Sequence, residues 1–301
     1  GPVGTAVRIK AMPYEGQLIQ IEGVAIRGES RGIRQRIMPA GSWDWSISIP
    51  LSQGWRVGER VFVGGQISAD EQGKSVHVGD LSAQTHNIFK FIGNVLNDAG
   101  ASMDDIVHIK VCFKHDSREP SGQTFANKIM EIATEYTGGN GSVLAAFGVD
   151  LLYPGLDLEI DAMAIVDPAR RPLRGSAAGG RYQPDQFSDG VNAAGEIYVG
   201  GQTALGVDGT TQAAGDIAGQ TRIVFERLAS VLAADGATLD DVVKLNLFFV
   251  ADAAKSPEAF HAISAVWADM APNAHPAMTP VRVHELARQE LLVQADCIAL
   301  K

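Results

Sequence analysis

A repeated stretch constrains the fold of this chain more than any other feature of its sequence. Residues 84–113 align without a gap with residues 220–249, a shift of 136 positions (220 − 84). In the first half of each copy, apolar residues recur at the spacing of one helix face, as at Ile88, Ile92 and Val95. In the second half the period changes to two, which is typical of a half-buried strand. These strand positions are Val107, Ile109, Val111 and Phe113 in the first copy and Val243, Leu245, Leu247 and Phe249 in the second.

Each copy of this helix–strand pair lies inside a larger repeated unit. The surrounding apolar patterns predict the order β-β-α-β-α-β-β, an α+β fold in which two helices cover one face of a single sheet. The first complete unit is predicted over residues 41–167 and the second over residues 181–301, with a Pro- and Gly-bearing linker over residues 168–180. Because a sheet with one uncovered face tends to associate through it, we expect the units to pack sheet against sheet around a shared centre.

The chain before the first complete unit, residues 1–40, predicts the closing strands of a further unit and a connector. Residues 14–26 alternate apolar and polar positions and line up with residues 153–165 and 291–300, near the ends of the two units. Residues 7–26 therefore predict the last two strands of an incomplete unit. Either this chain is the C-terminal part of a three-unit precursor and a second polypeptide supplies the missing strands and helices, or these strands join a sheet edge of a neighbouring copy. We favour the first interpretation because an orphan hairpin is only marginally stable in water.

Composition argues against several classes of function. The chain is 46% hydrophobic over 301 residues, enough to bury a sizeable core, and has no apolar run of membrane-spanning length. Its formal net charge of −10 argues against nucleic-acid binding, which needs clustered Lys and Arg. Cys112 and Cys297 fall in predicted strands of different units, which indicates no disulfide framework, and we expect a cytoplasmic protein. The seven histidines show no metal-ligand spacing, so we expect no metal or cofactor.

Three stretches of the first unit resemble the Rid family, the reactive intermediate deaminases (endoribonuclease L-PSP-like proteins) that act on enamines and imines. They are segment 51–66, which ends in Val-Phe-Val-Gly-Gly-Gln, segment 99–107, which reads Ala-Gly-Ala-Ser-Met-Asp-Asp-Ile-Val, and the closing strand Leu-Glu-Ile-Asp-Ala-Met-Ala at 158–164. The second unit matches equally well. The resemblance implies a chorismate-mutase-like fold, with a trimeric barrel of sheets, helices outside, and ligand pockets in the clefts between units.

At the positions that bind substrate in that family, this chain departs from the family pattern. The family's arginine, in a Pro-Ala-Arg-Ser-like stretch, holds a substrate carboxylate because a planar guanidinium matches it with two hydrogen bonds. The matching residues here are Leu144 and Met278. The family's pocket tyrosine matches Leu51 in the first unit and Phe187 in the second.

The acid that orders the attacking water in the family matches Glu159 in the first unit, Gln294 in the second and Gln20 in the N-terminal segment. At most one cleft therefore keeps a carboxylate at this position. Alternation along the strand sends Glu159 and Asp161 to its polar face. An ion-paired sheet residue and a general acid or base are both open interpretations of Glu159.

The remaining candidates are predicted to line pockets. The triplet Gly-Gly-Gln ends the same strand in both units, and glycine there allows close packing or lets a backbone N–H approach a ligand oxygen. A histidine precedes the stretch that contains Met278, and we place it near a cleft, with a surface loop as the alternative. The predicted pocket residues are Leu51, Gly65, Gln66, Phe187, Gly201, Gln202, His275, Met278 and Gln294.

The sequence thus supports two functions. The first is a hydrolase of the Rid type in which water attacks an imine, an enamine or a related C–N bond, with Glu159 as acid or base and no cofactor. Without the family's arginine an anionic substrate would be desolvated without a partner, so we expect neutral or less carboxylated substrates. The second is a ligand-binding or assembly protein that keeps the fold without catalysis. In both cases we expect an oligomer that binds a small molecule, and neither nucleic acid nor membrane.

Overall fold

A computed structural model describes residues 1–9, 12–14, 16–27, 32–115, 121–137, 139, 141–176 and 183–301. The first unit contains β1 (Arg34–Ile37), β2 (Gly54–Val57), β3 (Arg60–Gln66), α1 (Leu81–Asp98), β4 (Ile106–Lys114), α2 (Ser121–Thr137), β5 (Val143–Val149) and β6 (Leu158–Ile165). The second contains β7 (Arg171–Leu173), β8 (Gly190–Ala193), β9 (Glu196–Thr203), α3 (Ile217–Ala233), β10 (Val242–Phe249), α4 (Ser256–Met270), β11 (Ala277–Arg282), β12 (Glu285–Leu286) and β13 (Val293–Leu300). The tandem α+β architecture predicted from the repeat is confirmed.

These strands form two mixed sheets. The first has the order β1-β2-β3-β6-β4-β5-β12 and the second β11-β10-β13-β9-β8-β7. β4 pairs in parallel with β5, and β10 with β11, because a helical crossover joins the two strands of each pair. β12 of the second unit pairs with β5 of the first, so a short strand joins the units. Over the described residues the two sheets remain separate, and this chain does not form the closed barrel that the resemblance implied.

Short strands also occur in segments that the sequence predicts as connectors. β1 lies within residues 1–40 and β7 lies within the predicted linker 168–180, where they pair with β2 and β8. Each unit therefore has three strands before its first helix, and not the predicted two. Residues 177–180 of the linker lie outside the described residues. The domain limits themselves stay a prediction.

The core of each unit lies between its sheet and its two helices. α1 and α3 each begin after an aspartate whose carboxylate accepts a hydrogen bond from a backbone N–H three residues on, Asp80 from Ala83 and Asp216 from Gly219. Behind these caps the predicted apolar stripes are fully buried against the sheets. None of the described helices is long and apolar enough to span a membrane.

The sheet faces left bare by the helices pack against each other, as expected. The rings of Phe147 and Phe248, one from each unit, stack with centroids 3.9 Å apart and planes 18° apart. The Arg60 guanidinium of the first unit donates to the Glu196 carboxylate of the second through both Nε and Nη2. The two units are therefore joined by an apolar centre and a charged pair.

The N-terminal segment differs from its predicted structure. Residues 7–26 predict two strands, but in the described part of this range the regular pairing is limited to one bridge, between Arg8 and Asp150. A strand needs neighbours that complete its backbone hydrogen bonds, and this chain offers the segment no sheet of its own. Residues 10, 11 and 15 lie outside the described residues.

Candidate active site

Glu159 lies on β6, on the sheet face opposite the helices, and is 7% exposed. Across the sheet it lies beside Cys112 of β4. On the other side a Cβ built on Gly65 would overlap the Oε1 atom of Glu159. The carboxyl group therefore occupies the space that the missing side chain of Gly65 leaves. Two residues singled out separately in the sequence are thus in direct contact.

The surroundings of Glu159 favour its protonated form. Burial raises the pKa of Glu159 to about 8, and the nearby Asp161 carboxylate adds to the rise, while a hydrogen bond from the backbone N–H of Ala6 opposes it. Asp161 itself accepts a hydrogen bond from Thr5 Oγ1 at 2.9 Å and lies 3.6 Å from Lys110 Nζ. At neutral pH the Glu159 carboxyl is therefore mainly a proton donor, beside a second carboxylate that has its own cation.

The N-terminal segment packs over the sheet face that carries Glu159. The backbone N–H of Gly65 donates to the carbonyl of Gly4 at 3.1 Å, and the N–H of Ser52 donates to the carbonyl of Pro2 at 2.9 Å. A Cβ built on Gly4 would lie 3.6 Å from both terminal methyl groups of Leu51. Leu51, Gly65 and Glu159 are thus brought together, with residues of the N-terminal segment against them.

The matching cleft between the two complete units is closed. Phe187 is fully buried and belongs to the apolar core of the first unit. A Cβ built on Gly200 would lie 2.9 Å from Val143 Cβ and 3.2 Å from the Leu144 nitrogen, so the glycine allows the two units to meet. Gln294 is fully buried, and neither atom of its amide has a hydrogen-bond partner among the described residues. This cleft holds an amide where the first unit has a carboxyl.

The glutamines of the two repeated triplets bond within their own units. Nε2 of Gln66 donates to the Gly64 carbonyl and Nε2 of Gln202 to the Gly200 carbonyl, both at 3.1 Å. Oε1 of Gln66 also accepts from Trp43 Nε1 at 3.0 Å. These amides hold the end of the strand. Separately, the carbonyl of Gly201 accepts a hydrogen bond at 3.0 Å from the side chain of Gln183, which closes the second cleft further.

Met278 lines a separate cavity of about 280 Å³ between α4, β11 and the N-terminal segment. Its lining includes Tyr14, Gln20 and Phe260. The predicted pocket residue His275 is exposed two positions before β11, and it is not among the residues that line this cavity. The structure thus brings together Met278, at the position of the family's arginine, and Gln20, at the position of the family's acid.

A larger cavity, of about 470 Å³, lies between α2 and the second unit. It is lined by Asn127 and Thr134 of α2, by Gln183 and Arg288 of the second unit, and by some of their neighbours. Sequence reasoning missed it, because its walls come from different units and no motif links them. Among the described residues, no group of three or more His, Cys, Asp or Glu could hold a metal ion.

Comparisons with known proteins identify the family to which the chain belongs. The sequence profile of a family described as Endoribonuclease L-PSP matches residues 46–166 and residues 182–301. A RutC family protein of Pyrococcus abyssi is 34% identical over 115 residues, which make up 38% of this chain and 85% of that protein. The 3-aminoacrylate deaminase RutC of Acinetobacter baylyi is 28% identical over 106 residues, 35% of this chain and 79% of that protein.

A likeness to a solved structure extends across both units. The crystal structure of a chorismatase matches with a TM-score of 0.57 and 15% identity, covering 87% of this chain and 80% of that protein. At this identity the likeness shows the fold alone. The family profile, in contrast, matches most of the sequence in two successive copies. The chain is therefore a tandem-repeat member of the Endoribonuclease L-PSP family, the family that its sequence motifs resemble.

Proposed function

We propose that the protein is a hydrolase in which water attacks an imine, an enamine or a related C–N bond in the Glu159 cleft. The observation that supports this most is the buried carboxyl of Glu159, whose raised pKa of about 8 suits proton transfer near neutral pH. The name of the Acinetobacter baylyi relative, 3-aminoacrylate deaminase, supports the same class of reaction.

The proposed reaction needs one group that first gives and then takes a proton. Protonated Glu159 donates its proton to the imine nitrogen, which makes the imine carbon more electrophilic. The resulting carboxylate accepts a proton from the water whose oxygen bonds to that carbon. Glu159 then returns this proton to the nitrogen of the tetrahedral adduct, the C–N bond breaks, and the carboxylate takes up the hydroxyl proton, which releases ammonia or an amine and leaves a carbonyl compound. An enamine enters the same path after protonation at carbon.

The side chains at the substrate-arginine position favour an uncharged substrate. At that position Leu144 is buried in the core of the first unit and Met278 lines the separate cavity with Gln20, whereas beside Glu159 the tyrosine is replaced by Leu51, which faces Gly4. A substrate carboxylate held by such groups would lose its hydration without gaining a cation. We therefore propose neutral or weakly carboxylated imines as the substrate class.

The function is tested by turnover of imines prepared from neutral amines, with the variant Glu159→Gln. Loss of turnover in this variant is expected, since the amide neither donates an acidic proton nor accepts one. Asp157→Asn is the matched control, because it neutralises the carboxylate two residues before Glu159, which lies 3.8 Å from Lys114 Nζ. Equal turnover in Glu159→Gln contradicts the proposal. Faster hydrolysis of 2-iminobutyrate or 2-iminopropionate than of neutral imines contradicts the substrate class.

The alternative is a ligand-binding or assembly protein without catalysis. It is favoured by the small exposed fraction of Glu159, 7%, and by the contact of Ala6 with its carboxyl. Ligand-induced thermal shifts without turnover by any imine would support this alternative.

We further propose that the protein acts in the cytoplasm as an oligomer on a small-molecule substrate. The strongly negative formal charge of −10 disfavours a nucleic-acid substrate. One relative, Protein mmf2 of Schizosaccharomyces pombe, 32% identical over 115 residues, is named as mitochondrial. Fractionation of the source cells tests the location.

A further inference from the structure

The cavity of about 470 Å³ between α2 and the second unit is lined by a cation that has no counter-ion. The Nε atom of Arg288 is buried from solvent and has no hydrogen-bond partner among the described residues. Its guanidinium forms no ion pair with any carboxylate that the structure describes. A buried N–H without an acceptor is unfavourable, and an oxygen atom of a bound ligand would satisfy it.

The backbone that carries Arg288 is fixed against the first unit. Leu286 and Ala287, which directly precede it, are 2% and 1% exposed. The carboxylate of Glu285 accepts a hydrogen bond at 2.9 Å from the backbone N–H of Gly122, in the first turn of α2. Arg288 therefore extends into the cavity from a strand end that is anchored to the opposite unit.

One face of α2 forms the wall opposite Arg288. The lining residues Asn127, Met130, Glu131 and Thr134 recur at the spacing of a single helix face. Met130 is 1% exposed and supplies an apolar floor. The Glu131 side chain is 68% exposed, and its carboxylate lies 3.1 Å from Lys128 Nζ. The acidic group on this wall thus has its own cation and does not neutralise Arg288.

The segment before β8 forms the remaining wall. The side chain of Gln183 is held by two hydrogen bonds, from its Nε2 atom to the carbonyls of Leu144 at 3.2 Å and Gly201 at 3.0 Å. Pro184 and Gln186 continue this wall. The residues at the family's arginine, tyrosine and acid positions are not among the described residues that line the cavity. It is therefore separate from the Glu159 cleft and from the closed cleft between the units.

We propose that this cavity is a second binding site, which takes a small carboxylate with an apolar body. The Arg288 guanidinium binds the carboxylate through two N–H groups, because its planar fork matches the two oxygens. Met130 and Pro184 contact the apolar body. A singly charged carboxylate suits the cavity better than a phosphate dianion, since one cation without a counter-ion faces it and Glu131 would repel a second negative charge.

The site has a physical consequence beyond the proposed hydrolysis. Its walls come from both units, so a bound carboxylate contacts α2 on one side and Arg288 on the other. A ligand that binds only this folded arrangement stabilises it against unfolding, in proportion to the logarithm of its concentration above Kd. The thermal midpoint of the whole chain should therefore rise with carboxylate concentration.

The proposal is tested by isothermal titration of the full chain with benzoate, benzamide and inorganic phosphate. Benzoate should bind saturably, with one molecule per chain, and benzamide should bind at least roughly tenfold more weakly because it lacks the charge. Lack of saturable benzoate binding overturns the proposal, as does equal affinity for benzamide. Tighter binding of phosphate than of benzoate overturns the assignment to carboxylates.

Variants show whether Arg288 is the binding group. Arg288→Gln should weaken benzoate binding by roughly tenfold to a hundredfold, the usual range for a lost charge-assisted hydrogen bond. Arg222→Gln is the matched control, because it removes the same charge from a side chain on α3 that is 49% exposed. Glu159→Gln should bind benzoate like the parent protein, so this result is independent of the proposed hydrolysis. Equal affinity of Arg288→Gln and the parent protein overturns the proposal.

A second variant tests the location without removing Arg288. Asn127 is exposed on α2, and Asn127→Trp should block the cavity and abolish benzoate binding while the core of the first unit stays intact. Thermal unfolding without ligand checks that each variant is folded. Unchanged benzoate affinity in Asn127→Trp overturns the assignment to this cavity.

Discussion

The carboxyl of Glu159 lies where a side chain on Gly65 would be, so a Cβ built on Gly65 would overlap Oε1 of Glu159. The variant Gly65→Ala must therefore displace the carboxyl or the strand. We expect a loss of about 1–3 kcal/mol in the free energy of unfolding, as for overpacked sites, together with loss of turnover. Urea titration measures the first and the imine assay the second.

Two further variants isolate the contact between these residues. Gly93→Ala is the control, because a Cβ at this helical position meets no atom closer than 4.0 Å. Glu159→Ala removes the overlapping group, so Gly65→Ala should cost less in that background, with a coupling of roughly 0.5–3 kcal/mol. Strict additivity of the two substitutions would show that the contact is absent.

The stability of the protein should fall with rising pH because of Glu159. Its folded pKa, about 8, lies above the value of about 4.3 for an unfolded chain, so between these values the folded state binds the extra proton. The stabilisation that this extra proton gives the folded state is complete below about pH 4.3. It is lost as pH rises from there through about 8, at up to roughly 1.4 kcal/mol per pH unit. Urea unfolding from pH 5 to 9 should show this slope, and Glu159→Gln should remove it. An unchanged slope in the variant contradicts the assignment.

The same proton should govern activity. If protonated Glu159 starts the reaction, kcat/KM should fall as pH rises through about 8, since this ratio reports groups of the free enzyme. The measurement uses an imine whose own protonation lies well away from this range. A rate that rises through pH 8 would mean that the carboxylate acts first, as a base.

The stacked rings of Phe147 and Phe248 predict strong coupling between the units. Their centroids are 3.9 Å apart, and each residue is at most 3% exposed. Phe248→Ala should cost about 3–5 kcal/mol, and a double-mutant cycle with Phe147→Ala should give a coupling of about 0.5–1.5 kcal/mol. Calorimetry of the four proteins measures both. Additive losses in the two single variants, with a coupling near zero, would contradict an interaction between the two rings.

The sequence predicted the parts of the fold that repeat. Because the aligned stretches 84–113 and 220–249 carry both a helical and a strand period, the element types followed from hydrophobic spacing alone. The contact between Gly65 and Glu159 was not predictable from spacing, but both residues were found through the family's motifs. Their pairing depends on how β3 and β6 are joined in the sheet, with a register shift between Val63 and Gln66.

Some features that depend on contacts between the units were not predicted from the sequence. The cavity containing Arg288 has walls from α2 and from the second unit, and local patterns carry no sign of it. The strands predicted over residues 7–26 are not seen in the described part of that range, for a related reason. An alternating pattern forms a strand only where neighbouring strands exist. Glu22, which aligns with Asp161, nevertheless lies beside the same cation, since Lys110 Nζ is 3.8 Å from Glu22 and 3.6 Å from Asp161.

The second unit also contains a buried charged residue at a position that is apolar in the first unit. Arg227 is 6% exposed on α3, at the position where the first unit has Phe91. Its guanidinium donates to the carbonyls of Thr203 and Leu205, and to Oε1 of Gln212. The aligned residue Phe91 does not predict such a network, because two of its acceptors are backbone carbonyls at the end of β9 and just beyond it.

This network gives the last prediction. Arg227→Met keeps the length of the side chain but leaves buried carbonyls without donors, at about 1–3 kcal/mol for each unsatisfied group. Arg227→Lys should also destabilise the protein, because an ammonium cannot reproduce the fork of the guanidinium. Arg222→Met is the control on the same helix, where an exposed pair with Asp269 at 2.8 Å should contribute about 1 kcal/mol or less. Urea unfolding of the three variants measures the differences. Similar losses for Arg222→Met and Arg227→Met would contradict the role assigned to the buried guanidinium.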